Sequence, residues 1–274
     1  MPTHHFETHQ PVALHVEIGR GDVTVHCVET TETTVVVEGS GADQLVVEQD
    51  GDTVRVVEPR RTGLFRSSSV SAVVTVPLDS DVTVRTGSAD VVADGRAGDV
   101  QVRSGSGDVS LAEVGGRVHV ETGSGDVHVG RIGGDGRVKS GSGDLSVERV
   151  DGDLAVSTGS GGVSVVTSYG ATEVKTGSGD LDLRHAHGDV AMTTGSGDLS
   201  VGQVHRGRVT VRGASGDVHV GVTRDVPVWT DITTIAGSIS SDLRGAGEPT
   251  EGQDHIEVRA RTVSGDISLV EVSS

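Results

Sequence analysis

The sequence predicts an all-β fold, a parallel β-solenoid built from 18-residue coils with irregular β caps at both ends. Three observations support this prediction. A Gly-Ser-Gly-Asp tetrad recurs at a constant interval, apolar and polar residues alternate between the tetrads, and aromatic residues make up only 1% of the chain. Since 34% of the residues are nevertheless hydrophobic, mostly Val, the chain has enough apolar material for a narrow core that excludes large rings.

The tetrad marks a regular repeat. Copies or variants of it begin at positions that are 18 residues apart: Gly87, Gly105, Gly123, Gly141, Gly159, Gly177 and Gly195. One inserted residue between Val201 and Gly207 shifts the last clear copy to residues 214–217. Repetition at one fixed period is typical of a solenoid in which each repeat forms one coil.

Each repeat contains two short strands. Stretches such as Val109-Ser110-Leu111 and Val118-His119-Val120 alternate apolar and polar residues, which indicates half-buried strands. Gly pairs and Gly-Asp steps between them provide the turns. Equivalent residues then stack about 4.8 Å apart in three inward columns. These columns are Val91, Val109, Val127, Leu145, Val163, Leu181, Leu199 and Val218; Val84, Val102, Val120, Val138, Val156, Val174, Met192 and Val211; and Val114, Ile132, Val150, Ala186 and Val204.

The chain ends depart from this register. We expect a single solenoid domain over residues 1–274, with cap strands and a loop over 1–80, regular coils over 81–222, and irregular coils with a C-terminal cap over 223–274. Residues 59–69 are predicted to form a basic, Ser-rich loop, and residues 244–254 interrupt the pattern before a final strand pair around Ile256–Val270. Exposed solenoid edges favour stacking with another chain, so caps or self-association are expected.

Composition excludes several classes of function. The net charge of −18 disfavours binding to nucleic acid or to anionic membrane surfaces. A single cysteine, Cys27, excludes an intramolecular disulfide framework and a cysteine-only zinc site. The N-terminus lacks a basic segment followed by an apolar one, and no run of about 18 apolar residues occurs. We therefore expect a cytoplasmic protein without membrane insertion, and a surface location only if a signal was removed.

Four segments of the chain resemble a known bacterial family. They are the SGD-centred repeat, the N-terminal GRGDVTV, the RRTGLF loop that leads to VTVPLDSDVTVRTGSADV, and the closing TVSGDISL. They are similar to a family of unknown function that is often labelled "putative adhesin" and is common in actinobacteria. The resemblance covers nearly the whole chain. It implies a β-solenoid fold and, through the label, a surface role, and it offers no agreed activity or catalytic residues.

A column of aspartates follows the tetrads. It consists of Asp90, Asp108, Asp126, Asp144, Asp180, Asp198 and Asp217, and Gly162 breaks it. Carboxylates stacked about 4.8 Å apart repel one another, so something must offset the repulsion. One hypothesis is that each carboxylate accepts hydrogen bonds from the backbone of the Gly-Ser-Gly corner. The alternative is calcium, with Asp108, Asp126, Asp144, Asp180 and Asp198 as candidate ligands. In calcium-binding β-rolls, however, the nonapeptide occurs twice per coil, whereas this column has one Asp per coil.

Two further columns of residues are candidates for part of a functional site. A basic column five residues upstream of the aspartates could pair with them across the turn, and it contains Arg85, Arg103, Lys139, Lys175 and Arg212. His187 and His205 are 18 residues apart and are predicted to stack in neighbouring coils, with Tyr169 one coil earlier and His185 beside them. His185, His187 and His205 are therefore candidate ligands of Zn²⁺ or a similar ion, or simply polar surface residues.

These patterns favour a non-enzymatic protein. Serines occupy turn or solvent-facing positions without a Ser–His–Asp grouping, and no nucleophile elbow, P-loop or dinucleotide motif occurs. No catalytic or cofactor-binding residue is predicted. We expect a repeat scaffold that presents an acidic solenoid face to a protein partner or to itself. The alternatives are an adhesin-like module that binds calcium or a glycan and, as a third class, a polysaccharide-acting enzyme.

Overall fold

The computed structural model describes residues 2–59, 69–224, 226–243 and 255–273. It confirms the all-β solenoid, because these residues form 25 strands and one short 3-10 helix, Ala42–Gln44. No helix among them has the length and apolarity needed to span a bilayer. The predicted loops lie outside the described residues, except for residues 59 and 69 at the ends of the first. The chain divides into two compact units, residues 1–134 and 135–274, and the single domain stays a prediction.

The first unit begins with a cap and continues with regular coils. Its described strands are β1 (Thr3–Glu7), β2 (Ala13–Val28), β3 (Glu32–Gly39), β4 (Val46–Asp50), β5 (Thr53–Val57), β6 (Val70–Pro77), β7 (Asp81–Ala97), β8 (Val100–Ser104), β9 (Val109–Val114), β10 (Val118–Thr122) and β11 (Val127–Ile132). Strands β8 and β10 are parallel, with Val100 opposite Val118. Strands β9 and β11 are also parallel, with Val109 opposite Val127. Each coil thus contributes one strand to each of two stacks, at the predicted interval of 18 residues.

The N-terminal strands form the predicted irregular cap. β2 is parallel to β7, with Leu14 opposite Val82 and Val23 opposite Val91, and so adds a coil outside the 18-residue register. β3 is antiparallel to β6, β1 is antiparallel to β3, and β4 is antiparallel to β5. Antiparallel pairing ends the parallel stack, and exposed charged residues such as Glu48 on β4 discourage further strand addition.

The second unit is built from the same kind of two-strand coil. Its described strands are β12 (Gly136–Ser140), β13 (Leu145–Val150), β14 (Leu154–Thr158), β15 (Val163–Ser168), β16 (Thr172–Thr176), β17 (Leu181–Ala186), β18 (Val190–Ser196), β19 (Leu199–Val204), β20 (Gly207–Ser215), β21 (Val218–Thr223), β22 (Val228–Ala236), β23 (Ile239–Ser241), β24 (Ile256–Ser264) and β25 (Ile267–Val272). Ala186 pairs with Val204, 18 residues later, whereas Val190 pairs with Val209, 19 residues later. This shift confirms the predicted insertion.

The C-terminal strands do not stack in chain order. β24 is parallel to β20 on one side and to β22 on the other, and β25 likewise lies between β21 and β23. The final strand pair, predicted around Ile256–Val270, is therefore an inner coil, and β22 and β23 lie outside it. Ile267 is fully buried in this arrangement, whereas Ile239, which pairs with it, is 50% exposed.

The core includes the three predicted columns, and every member of them is at most 4% exposed. It also includes residues that were not predicted, such as Leu111, Val165 and Leu183. Val and Leu fill most positions because a coil of 18 residues encloses only a narrow interior, which larger rings would overfill. The chain's only tryptophan, Trp229, accordingly lies on the surface of β22 with 45% exposure.

Candidate functional site

The aspartate column forms a ladder of hydrogen bonds between coils. The backbone N–H of Asp108 donates to Oδ1 of Asp90 at 2.9 Å, and the N–H of Asp198 donates to Oδ1 of Asp180 at 2.8 Å. The donors predicted for these carboxylates were wrong, since they come from the next coil and not from the Gly-Ser-Gly corner. An amide bound to each carboxylate offsets the repulsion along the column, because hydrogen bonds to an ionised acceptor are among the stronger ones.

The corner itself is capped by other side chains. Ser104 Oγ accepts the N–H of Gly107 at 2.9 Å, and Ser140 Oγ accepts that of Gly143 at the same distance. Thr176 Oγ1 accepts the N–H of Gly179 at 2.7 Å. These hydroxyls complete local turns of the type that Ser and Thr form readily.

The ladder extends beyond the repeats that the sequence marks clearly. The N–H of Asp266 donates to Oδ1 of Asp217 at 2.8 Å, and Oδ1 of Asp266 accepts the N–H of Ser238 at 2.7 Å. The backbone and hydroxyl of Ser238 lower the pKa of Asp266. Gly162 interrupts the ladder, because its N–H donates to Asp144 but it has no carboxylate for the following coil.

A second ladder, which the sequence analysis missed, follows the other turn of the coil. Its carboxylates belong to Asp81, Asp99, Asp135, Asp153 and Asp189, and each accepts a backbone N–H from the next coil at 2.8–3.0 Å. The Arg117 side chain, followed by its backbone N–H, lowers the pKa of Asp99. In the sequence, this ladder is marked by a Gly-Asp step halfway between tetrads. The pattern is obscured because Arg117 and Ala171 replace the aspartate in two coils.

Two members of the basic column, Arg103 and Lys175, pair with glutamates and not with the aspartates. Arg103 Nε lies 3.2 Å from the Glu121 carboxylate, one coil away in the same column. Lys175 Nζ lies 2.7 Å from the carboxylate of Glu173, its neighbour on β16. The prediction placed these cations across the turn, but side chains on the same sheet face are closer, since residues two apart or directly opposite share that face.

The histidine column confirms the predicted stacking. Tyr169, His187 and His205 each directly follow a strand, and the N–H of His187 and that of His205 both donate to a carbonyl of the preceding coil at 2.9 Å. The rings of Tyr169 and His187 are 4.7 Å apart and those of His187 and His205 are 4.1 Å apart, with interplanar angles of 8° and 6°. His185 lies 5.9 Å from His205 in a tilted arrangement.

Two arginines lie beside this stack, and one of them, Arg149, pairs with Asp151 at 2.7 Å. The guanidinium carbon of Arg149 lies 4.5 Å from the centre of the Tyr169 ring, and Nε of Arg206 donates to the carbonyl of His187 at 2.8 Å. Burial lowers the pKa of His187 below 6.5, with further contributions from His185 and Arg206. Burial, His187 and His185 lower the pKa of His205 in the same way. The stack therefore favours neutral imidazole rings.

Metal binding has no assembled site in the described ranges. They contain no group of three or more His, Cys, Asp or Glu side chains that could hold a metal ion. The aspartate and histidine candidates for metal ligation consequently stay predictions.

Comparison with known proteins gives a family. The family model described as Toastrack DUF4097 matches residues 13–270. A solved structure of a "putative lipid binding protein" from Parabacteroides distasonis is 14% identical, with 99% of this chain and 96% of that chain covered and a TM-score of 0.49. A "putative adhesin" from Parabacteroides merdae is 12% identical, with 99% and 95% covered and a TM-score of 0.48. No curated protein matches the chain.

Proposed function

The chain belongs to the Toastrack DUF4097 family, and we propose that it is a non-enzymatic scaffold whose acidic ridge binds a basic surface on a protein partner or on a second copy of the chain. The acidic ridge is the part of the aspartate ladder in the second unit: Asp144, Asp180, Asp198, Asp217 and Asp266. All five of these aspartates are exposed to solvent.

The observation that carries the proposal is the hydrogen bonding along this ridge. An amide from the neighbouring coil holds Oδ1 of Asp180, Asp198 and Asp217 at 2.7–2.8 Å. The carboxylates are therefore fixed one coil apart before any partner arrives. Such preorganisation reduces the entropy lost on binding, and an array of one sign of charge selects a partner of the opposite sign.

The non-enzymatic part of the proposal has its own support. The corner serines Ser104 and Ser140 cap turns, and among the described residues neither is hydrogen-bonded to a base that would activate it as a nucleophile. Cytoplasmic localisation and membership of an actinobacterial-type, SGD-repeat subgroup are further parts of the proposal. Cell fractionation with an antibody against the chain tests the localisation.

Sedimentation velocity of the full chain across micromolar concentrations, together with affinity capture, tests the binding role. The triple variant Asp180→Asn, Asp198→Asn and Asp217→Asn removes three charges and keeps an oxygen acceptor for each amide. We expect it to lose the self-association, or the captured protein, that the wild type shows. The matched control Glu29→Gln, Glu38→Gln and Asp43→Asn removes three exposed charges elsewhere and should keep it. A strictly monomeric wild type that captures nothing, or equal behaviour of both variants, would contradict the proposal.

A further inference from the structure

One sheet face of the second unit is basic although the chain carries a net charge of −18. This basic face consists of the outward side chains of β12, β14, β16, β18, β20, β24 and β22, which are neighbours in that order. It carries seven cations and three anions, a net charge of +4. The cations are Arg137, Lys139, Lys175, Arg208, Arg212, Arg259 and Arg261, and the anions are Glu173, Asp231 and Glu257.

The three anions leave part of this charge unbalanced. Glu257 is bound by Arg208 and by Arg259, Asp231 lies 3.2 Å from Arg261, and Glu173 pairs with Lys175. In the part of the chain that the structure describes, Arg137 and Arg212 form no ion pair. Arg212 also lies directly opposite Arg261 on the neighbouring strand, an arrangement that is unfavourable without a compensating anion.

The cations on this face are regularly spaced. One column crosses five neighbouring strands as Lys139, Ser157, Lys175, Thr193 and Arg212, so that cations and hydroxyls alternate. Because adjacent strands are about 4.8 Å apart, the cations repeat about every 9.6 Å along a straight line. A hydroxyl, which donates and accepts hydrogen bonds, lies midway between them.

The same column passes through a groove. Ala155 and Ser157 on β14 are short, whereas Arg137 and Lys139 on one side and Glu173 and Lys175 on the other are long. The resulting depression has a volume of about 320 Å³. The rim carries three cations and the carboxylate of Glu173, a net charge of +2. Together with the hydroxyl of Ser157 on the floor, this charge suits an anionic ligand that also presents hydroxyl groups.

We propose that the basic face binds a linear acidic polysaccharide that carries one carboxylate or sulfate on every second sugar. The anionic groups contact Lys139, Lys175 and Arg212, and hydroxyls of the intervening sugars bond to Ser157 and Thr193. This binding uses a different surface from the acidic ridge and does not depend on the function proposed for that ridge.

The geometry disfavours two other polyanions. An extended acidic peptide places side chains of one face about 6.8 Å apart, which does not match a repeat of about 9.6 Å. An anionic bilayer is wider than the face, whose margin carries the carboxylates of Asp135, Asp153 and Asp189 one residue before β12, β14 and β18. These carboxylates would be repelled by an anionic lipid surface, whereas a narrow chain lies inside them.

Isothermal calorimetry with the full chain tests the proposal, with hyaluronan as the probe because it carries one carboxylate per disaccharide. We expect binding that weakens as salt is added and that neutral dextran does not show. The triple variant Lys139→Gln, Lys175→Gln and Arg212→Gln should bind at least about tenfold more weakly. The control Arg184→Gln, Arg206→Gln and Arg224→Gln lowers the net charge equally outside the face and should bind within about twofold of the wild type.

Four results would overturn the proposal: no binding of hyaluronan, equal losses in the two variants, equal or tighter binding of polyglutamate, or equal or tighter binding of vesicles that contain anionic lipid. All six positions are exposed, so we expect both variants to fold, and melting curves check this. The outcome is separate from that of the acidic-ridge experiment, because the aspartate variants leave the basic face intact.

Discussion

At the scale of single residues, Cys27 combines burial with a negative environment. It is 2% exposed, and burial, followed by Asp79 and Asp94, raises its pKa to about 11. Because the thiolate is the nucleophile, we expect iodoacetamide at pH 8 to leave the native chain unmodified and to alkylate the chain completely in guanidinium chloride. Intact-mass spectrometry measures both. Equal rates in the two conditions would show that Cys27 is accessible.

Asp180 tests whether the ladder stabilises the fold through its acceptor oxygens or through charge. Asp180→Ala removes the acceptor for the N–H of Asp198, and we expect a loss of about 1 kcal/mol in the free energy of unfolding. Asp180→Asn keeps an oxygen acceptor and relieves repulsion, so we expect a change within about 0.5 kcal/mol. Urea denaturation measures both variants, with Asp182→Ala as an exposed control on β17. Equal losses for Ala and Asn would assign the effect to charge.

At the scale of the elements, the corner of each coil depends on close approach of neighbouring backbones. A Cβ at Gly179 would lie 2.0 Å from the carbonyl oxygen of Gly161, whereas a Cβ at Gly162 would meet only Asp144 Oδ1 at 3.6 Å. We expect Gly179→Ala to destabilise the fold by about 1–3 kcal/mol, because the coils must move apart, and Gly162→Ala to be tolerated. Thermal unfolding compares them. Similar melting temperatures would mean that the corner is more compliant than its geometry implies.

The imidazole stack makes the stability of its coils depend on pH. His187 and His205 have pKa values below 6.5 in the folded chain, so the unfolded chain binds more protons as the pH falls through 6.5. Stability from the stack is therefore fully present above pH 6.5 and is lost below it. We expect the melting temperature to fall from about pH 7 to pH 5.5. The variant His187→Phe with His205→Phe keeps the ring stacking and should flatten this slope.

A histidine outside the stack provides the control for that experiment. His219 lies on the exposed face of β21, and His219→Phe should leave the slope unchanged. If the double Phe variant titrates like the wild type, other groups cause the pH dependence. Arg149, whose guanidinium lies over the Tyr169 ring, cannot cause the pH dependence, because its charge is retained throughout.

At the scale of the whole molecule, period and alternation were enough to predict the coil, its core columns and the His187–His205 stack. Each of these depends only on which residues are 18 apart. The order of the last coils could not be predicted, because Ser264-Gly265-Asp266 and the sequence around Gly237 have similar repeat patterns. The repeat period gives the length of a coil and does not indicate which of these two coils lies next to the preceding one. The donors to the aspartates were also missed, since a hydrogen bond between coils depends on backbone direction at the corner.

Whether the whole chain unfolds as the single predicted domain can be measured with two residues that each occur once. Cys27 reports on the first unit and Trp229 on the second. Because a solenoid coil is stabilised by its neighbours, we expect one cooperative transition, with thiol exposure and tryptophan fluorescence changing at the same urea concentration. Val165 is 1% exposed in the second unit, and Val165→Ala should lower the free energy of unfolding by about 2 kcal/mol. Both urea midpoints should then fall together. If it shifts only the fluorescence transition, the two units unfold independently and the single-domain prediction is wrong.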